Sequence, residues 1–246
     1  MASRAELQDL RDLRDRRHRD ATGRFTVEGE KVVGELLAAG HPFLALYATP
    51  EWTGDPGAIP LQRLSAAEMA RVSHFPTPSP VLAVAALRRE AFDPAAAGRG
   101  LTLVLDGVQD PGNVGTLLRI ADWFGLARVL LSPDCADLFH PKVVHASMGS
   151  FARVRGFSAP LAPTLAAAVA ATPDLPVLGC DLGGTSIHAL PPLKDALVVI
   201  GAEGRGLSPE VRAALTERVT IPRLGAAESL NAAVAAGIVC SALRRG

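Results

Sequence analysis

The chain has 246 residues, 48% of them hydrophobic, which is enough for one large domain or two modest ones with packed cores. Twenty-five basic residues against 25 acidic ones leave zero formal charge, so attraction to nucleic acid through overall charge is excluded and any such partner needs a local patch. Three cysteines (Cys135, Cys180, Cys240) without a CxxC pair argue against a disulfide framework or zinc site, and no apolar run reaches the roughly 18 residues of a membrane span.

Residues 1–24 carry seven arginines (Arg4, Arg11, Arg14, Arg16, Arg17, Arg19, Arg24) and five acids (Glu6, Asp9, Asp12, Asp15, Asp20). That alternation predicts a solvated helical extension with i,i+4 ion pairs, which could also touch a phosphate backbone. The stretch lacks the apolar core of a signal peptide, and with unpaired cysteines the expected location is a reducing cytoplasm. Residues 25–31 (FTVEGEK) then lead into Val32, Val33, Leu36 and Leu37, spaced as one helix face and closed by Gly40 and Pro42. Residues 43–48, 61–64 and 81–87 are short strand candidates between Pro- and Gly-rich turns, giving a small α/β domain.

A run of small residues at 93–100 (DPAAAGRG) reads as a linker. The predicted domains are therefore 1–97 and 98–246. Beyond the linker, β-like runs at 101–105, 128–131, 177–180, 197–200 and 219–221 alternate with helical stretches, which predicts a parallel sheet covered by helices on both faces. Ligands of such sheets sit at the carboxyl ends of the strands.

Three segments follow strands. In the first, Pro111-Gly112 makes a turn, Asn113 can cap the next helix, and Val114, Leu117, Leu118, Ala121 and Phe124 share one face. Arg119 lies roughly 160° from the centre of that face, beside Thr116, Ile120 and Trp123, an outer surface too apolar to be left in water. In the second, Gly201, Gly204 and Gly206 permit positive φ or close approach of a ligand, but the spacing is neither GxGxxG nor GxxxxGK[ST]. In the third, Ile221-Pro222 ends a strand, and Glu228, Ser229 and Asn231 precede an almost wholly apolar helix, where Ser or Asn could serve as a cap. Lys142, His145, Arg153 and Arg155 form a candidate basic stripe without nearby acids. No serine sits in a GxSxG setting and the histidines show no HExxH spacing, so acyl-enzyme and metal chemistry are disfavoured.

Asn113 through Arg119, Gly201 through Gly206 and the IPxxGxxESLN segment at 221–231 together resemble the three motifs of the SpoU (TrmH-like) RNA 2′-O-methyltransferases. Residues 25–31 resemble the start of that family's L30e-like substrate-binding domain, so the similarity covers nearly the whole chain. Ala202 departs from relatives, which often carry a polar residue there. The resemblance implies a SPOUT fold, a parallel sheet with a carboxyl-terminal trefoil knot that holds S-adenosylmethionine, preceded by an L30e-like domain. It also implies a homodimer sharing its active site, as the outer face around Ile120 and Trp123 and the apolar helix at 230–243 would suit. By resemblance, Gly201, Ile221 and Leu230 contact the cofactor, while Asn113, Arg119, Glu203, Ser229 and Asn231 form the catalytic and RNA-facing cluster. No metal is implied. Ribosomal RNA is the expected substrate; tRNA, or a catalytically silent RNA-binding assembly factor of the same fold, are the alternatives. A dinucleotide-dependent oxidoreductase suits the α/β alternation but lacks its glycine fingerprint.

Overall fold

The computed structural model describes residues 2–245; Met1 and Gly246, the outermost residues of the two expected domains, lie outside the described residues. The chain divides into two compact units that are not contiguous in sequence. The first comprises residues 1–88 and 137–152, the second residues 89–136 and 153–246. The expected boundary near residue 97 is thus a single cut, whereas the chain crosses three times.

The first unit begins with α1 (Arg4–Asp12), closed by a capping box in which the Ser3 hydroxyl accepts from the Glu6 N–H and the Glu6 carboxylate accepts from the Ser3 N–H. After α2 (Arg16–Thr22) come β1 (Arg24–Glu28), α3 (Glu30–Ala38), β2 (Phe43–Ala48), β3 (Leu61–Arg63), α4 (Ala66–Val72) and β4 (Val81–Ala86). Their sheet runs β1-β4-β2-β3, antiparallel except for the β2–β3 pair.

The expected solvated extension is corrected here. Leu7, Leu10 and Leu13 recur every three residues and are buried in a cluster with Tyr47, Leu64, Met69 and Val84. Arg19 is 1% exposed. Its guanidinium donates to the carbonyls of Leu13 (3.1 Å) and Arg14 (2.8 Å) and to the Asp137 carboxylate at 2.6 Å. Arg16–Asp20 is an i,i+4 ion pair of the expected kind.

The second unit holds β5 (Leu101–Asp106), α5 (Pro111–Trp123) and β6 (Arg128–Leu131). The chain then contributes α6 (Pro141–Ala146) to the first unit, where Phe139 and Phe151 pack edge-on or tilted against Phe25. On returning it forms β7 (Arg155–Ser158), α7 (Leu161–Ala171), β8 (Val177–Ser186), β9 (Ala196–Gly201), α8 (Pro209–Ala213), β10 (Glu217–Thr220) and α9 (Ala232–Leu243). The six strands lie in the order β10-β8-β9-β5-β6-β7, every neighbouring pair parallel. Val104, Leu130, Leu197 and Val199 face Leu161, Leu165 and Ala168 of α7. The alternate residues Leu103 and Leu105, fully buried, point to the other face, where α9 packs on β9 and on α5. The parallel sheet flanked by helices is therefore present, with β7 as a strand the sequence did not reveal.

Candidate active site

β9 ends at Gly201, where the chain folds back so tightly that the Ala202 N–H donates to the Gly206 carbonyl (3.2 Å) and the Gly206 N–H to the Ala202 carbonyl (2.9 Å). A Cβ on Gly201 would fall 2.4 Å from the carbonyl carbon of Gly206, so the hairpin closes only over a bare backbone. Gly206 itself sits at φ 66°, a conformation open to glycine at little cost. This hairpin lifts Glu203 off the carboxyl end of the sheet. Beneath it, Asp106 at the end of β5 accepts from the Ser208 N–H at 2.6 Å and anchors the return of the loop.

Glu203 Oε1 accepts three hydrogen bonds, from Asn113 Nδ2 (2.9 Å), Asn231 Nδ2 (2.7 Å) and the Ala232 N–H (3.3 Å). Asn231 Nδ2 also donates to Asn113 Oδ1 at 2.9 Å, closing a triangle of side chains. The amide of Asn231 has one sensible orientation, because its Oδ1 accepts from the N–H groups of Ala233 (2.9 Å) and Val234 (3.3 Å) as the N-cap of α9. Capping and site-building, which the sequence left as rival readings, are done by opposite ends of the same amide. Asn113 is not a cap: Asp110 caps α5, accepting from the Asn113 N–H at 2.8 Å, with Pro111 in the first turn.

Beside the triangle opens a cleft of about 570 Å³, lined by Gly201, Ile221, Ser229 and Leu230 among others. Leu224 is 100% exposed and Leu230 46% at its edge, apolar groups with surface to spare for an occupant. Asp181, facing the same cleft, lies 3.1 Å from Arg212 Nη1 and 3.7 Å from Arg218 Nη1. The lining thiol of Cys180 is pushed up to about 12 by burial and stays protonated, hence poorly nucleophilic. Near the loop, Asp134 is held below the usual carboxylate range chiefly by the Ser132 hydroxyl, with Arg205 adding less from 3.5 Å.

The structure thus brings together Asn113, Glu203 and Asn231, and places Gly201, Ile221, Leu230 and Ser229 around the adjoining cleft. Among the described residues Ser229 makes no hydrogen bond to the triangle. Arg119 is not brought in. It is exposed on α5, six residues and so roughly 120° around the helix from Asn113. The expected basic stripe is also corrected: Lys142 and His145 belong to the first unit, while Arg153 pairs with Asp122 at 2.8 Å and Arg155 with Glu90 at 2.5 Å. Asp106, Asp110 and the Ala232 N–H went unrecognised; the Asp-Pro step at 110–111 was the available signal for the cap.

Residues 100–241 match the family described as SpoU rRNA Methylase, and residues 5–83 match the MRM3-like substrate binding domain. The chain is 31% identical over 252 residues to the 23S rRNA (guanosine(2553)-2′-O)-methyltransferase RlmP of Bacillus subtilis, covering 99% of this chain and 97% of that one. A solved TrmH-family structure from Porphyromonas gingivalis superposes with a TM-score of 0.87 at 42% identity, covering 99% and 98% of the two chains. An AdoMet-bound rRNA methyltransferase from Sinorhizobium meliloti gives 0.85 at 25% identity, covering 99% and 96%. With motifs, sheet and relatives in agreement across both units, the chain belongs to the SpoU rRNA methylase family, RNA methyltransferases that use S-adenosylmethionine.

Proposed function

We propose that the chain moves a methyl group from S-adenosylmethionine to a ribose 2′-hydroxyl of ribosomal RNA, in the cytoplasm and as a homodimer. The second unit, residues 89–136 and 153–246, supplies the chemistry, and the first, an L30e-like domain of residues 1–88 joined by 137–152, presents the RNA. The observation that carries this reading is the Asn113–Glu203–Asn231 triangle standing at a cleft lined by Gly201, Ile221 and Leu230.

The residues present fit the cofactor. Val219, Ile221 and Val239 offer an apolar floor to a flat purine, and Gly201, Ile221 and Leu230 can bond its edge through backbone groups. Asp181 and Glu228 line the same cleft and suit a cationic amino-acid tail. Its volume, about 570 Å³, lies within the ordinary range for small-molecule sites. We take the segment at 221–231 to be threaded into a trefoil knot, which would hold that wall rigid.

When bound, S-adenosylmethionine would supply an activated methyl on a sulfonium, the neutral thioether being the leaving group and the ribose hydroxyl proton passing to solvent. The chain's part is alignment and charge. Glu203, held on Oε1 by three donors, fixes both asparagine amides at the cleft mouth. Arg119 of a second copy would bind an RNA phosphate and stabilise the developing alkoxide; guanidinium stays protonated, so its role is electrostatic rather than that of a base. Trp123, 85% exposed, and Val234, 51% exposed, lie on the mutually packed α5 and α9 and form the apolar face a second copy would cover.

The test supplies labelled S-adenosylmethionine with ribosomal RNA or with tRNA and maps the methylated ribose. Label in ribosomal RNA is the expected result; label in tRNA alone would reassign the substrate, and none in either would sink the reading. Asn113→Ala should cut transfer about 100-fold while calorimetry finds cofactor binding retained. Arg119→Lys should lose about tenfold or more, since a point charge cannot replace the planar fork.

A further inference from the structure

A second cavity, of about 310 Å³, lies wholly within the first unit and is lined by Glu28, Gly29, Phe75, Thr77, Ser79 and His145, with Pro76. Its walls are built rather than accidental. The carboxylate of Glu28, 3% exposed, accepts from the Ser73 hydroxyl (2.5 Å), the His74 N–H (3.0 Å) and the Ser79 N–H (3.2 Å), pinning the loop at 73–79 that carries Phe75. On the opposite side, His145 of α6 comes so close to Gly29 that an added Cβ would lie 3.3 Å from its Nδ1. Gly29 also has φ 119°, so the position is reserved for glycine twice over. The rings of Phe75 and His145 pack on each other, 4.7 Å apart and tilted by 45°, and both line the cavity.

We propose that this cavity takes one unstacked base of the RNA substrate, against the Phe75 and His145 rings. The inference rests on RNA being the substrate and adds where, outside the methyl-transfer site, the strand is gripped. Nδ1 of His145 lies 3.1 Å from the Glu28 carbonyl, which can only accept, so Nδ1 carries a proton. Nε2, which makes no protein hydrogen bond among the described residues, is left to meet the polar edge of a base. Lys142, exposed one turn earlier on the same face of α6, is placed for the adjoining phosphate. Splayed bases stacked on aromatic side chains and bonded at their edges are how single-stranded RNA is read. The matched substrate-binding segment, residues 5–83, includes every lining residue except His145.

The full chain is tested with a short single-stranded RNA carrying 5-iodouridine, by ultraviolet cross-linking with peptide mapping and by fluorescence anisotropy. Cross-links should fall in peptides bearing Phe75 or His145. Phe75→Leu, which keeps apolar bulk and loses the π face, should weaken RNA binding about tenfold, with Phe75→Tyr restoring it and S-adenosylmethionine affinity unchanged as a check that the chain is folded. If the wild type binds RNA, yet Phe75→Leu binds equally well and cross-links fall elsewhere, the base pocket is overturned while the RNA methyltransferase reading stands; a protein side chain as the true occupant would give that same result. If the wild type neither binds nor methylates RNA, both fall together.

Discussion

In the first unit ionic groups are drawn inside: Arg19 and Asp137 form a 2.6 Å ion pair at 1% and 7% side-chain exposure, and Glu28 is buried beneath three donors. In the second unit the working polar groups stay at the surface, where Glu203 and Asn231 remain exposed although hydrogen-bonded to each other. The difference teaches that a polar cluster's place decides what it does. A buried pair must be kept whole to avoid stranding a charge, so it acts on folding. An exposed triangle costs little to disturb, so its value lies in the geometry it offers a ligand.

The sharpest way to break this contrast is Arg19→Ala, which removes the buried guanidinium that meets Asp137 at 2.6 Å and donates to the Leu13 and Arg14 carbonyls. Urea unfolding should show a loss of about 3–5 kcal/mol, and a loss near zero would mean the pair is not what holds the first unit. Gly201→Ala comes next. The Cβ, 2.4 Å from the Gly206 backbone, must push the hairpin open. We expect cofactor affinity, measured by calorimetry, to fall about tenfold or more, equivalent to about 1.4 kcal/mol. Unchanged affinity would show that the hairpin does not wall the cofactor cleft.

The smallest effects come from pH, and they arise in both units. His41 sits among Phe25, Phe43 and Phe151 with its Nε2 buried and unpartnered among the described residues, and burial lowers its pKa. A depressed imidazole contributes stability above its unfolded value, about 6.5, that is lost as pH falls through the folded value. Cys180 and Cys240 are both raised by burial to about 12 from an ordinary 9.0, so their contribution is complete below 9.0 and is lost as pH climbs towards about 12. Melting curves should therefore weaken on the acid side, where His41→Phe removes part of the effect, and on the alkaline side, where Cys240→Ala removes part of it. Asp134 of the second unit, held low by Ser132, and Tyr47 of the first, raised by burial to about 12, act on the same two limbs. Insensitivity of a limb to its substitution would show that burial of that group does not shape it.

The parallel sheet was legible because strands buried on both faces are near-continuous apolar runs, as in Leu101–Asp106 and Ala196–Gly201. β7 was not, because of its four residues only Phe157 is buried. Asn113, Glu203 and Asn231 were recognisable from motif order, yet their contacts span separations of 90 and 28 residues, which local pattern cannot reveal. The third donor to Glu203 is a backbone N–H and leaves no mark on residue identity. Arg19 looks like any other arginine in a charged run; only the three-residue spacing of Leu7, Leu10 and Leu13 hinted that one side of that run was buried.

The detour of residues 137–152 into the first unit has a consequence for synthesis. When residue 88 has been made, the first unit still lacks Phe139 and Phe151 against Phe25, and Asp137 against Arg19. Its interior is completed only when residue 152 emerges, which at translation rates of about 5–20 residues per second is roughly 3–13 s later. During that interval β5, α5 and β6 appear on the ribosome ahead of the segment that finishes their predecessor. The two units therefore mature as interleaved rather than successive products, and a fragment ending at residue 97 would be released with a guanidinium and a phenylalanine face that nothing downstream arrives to cover.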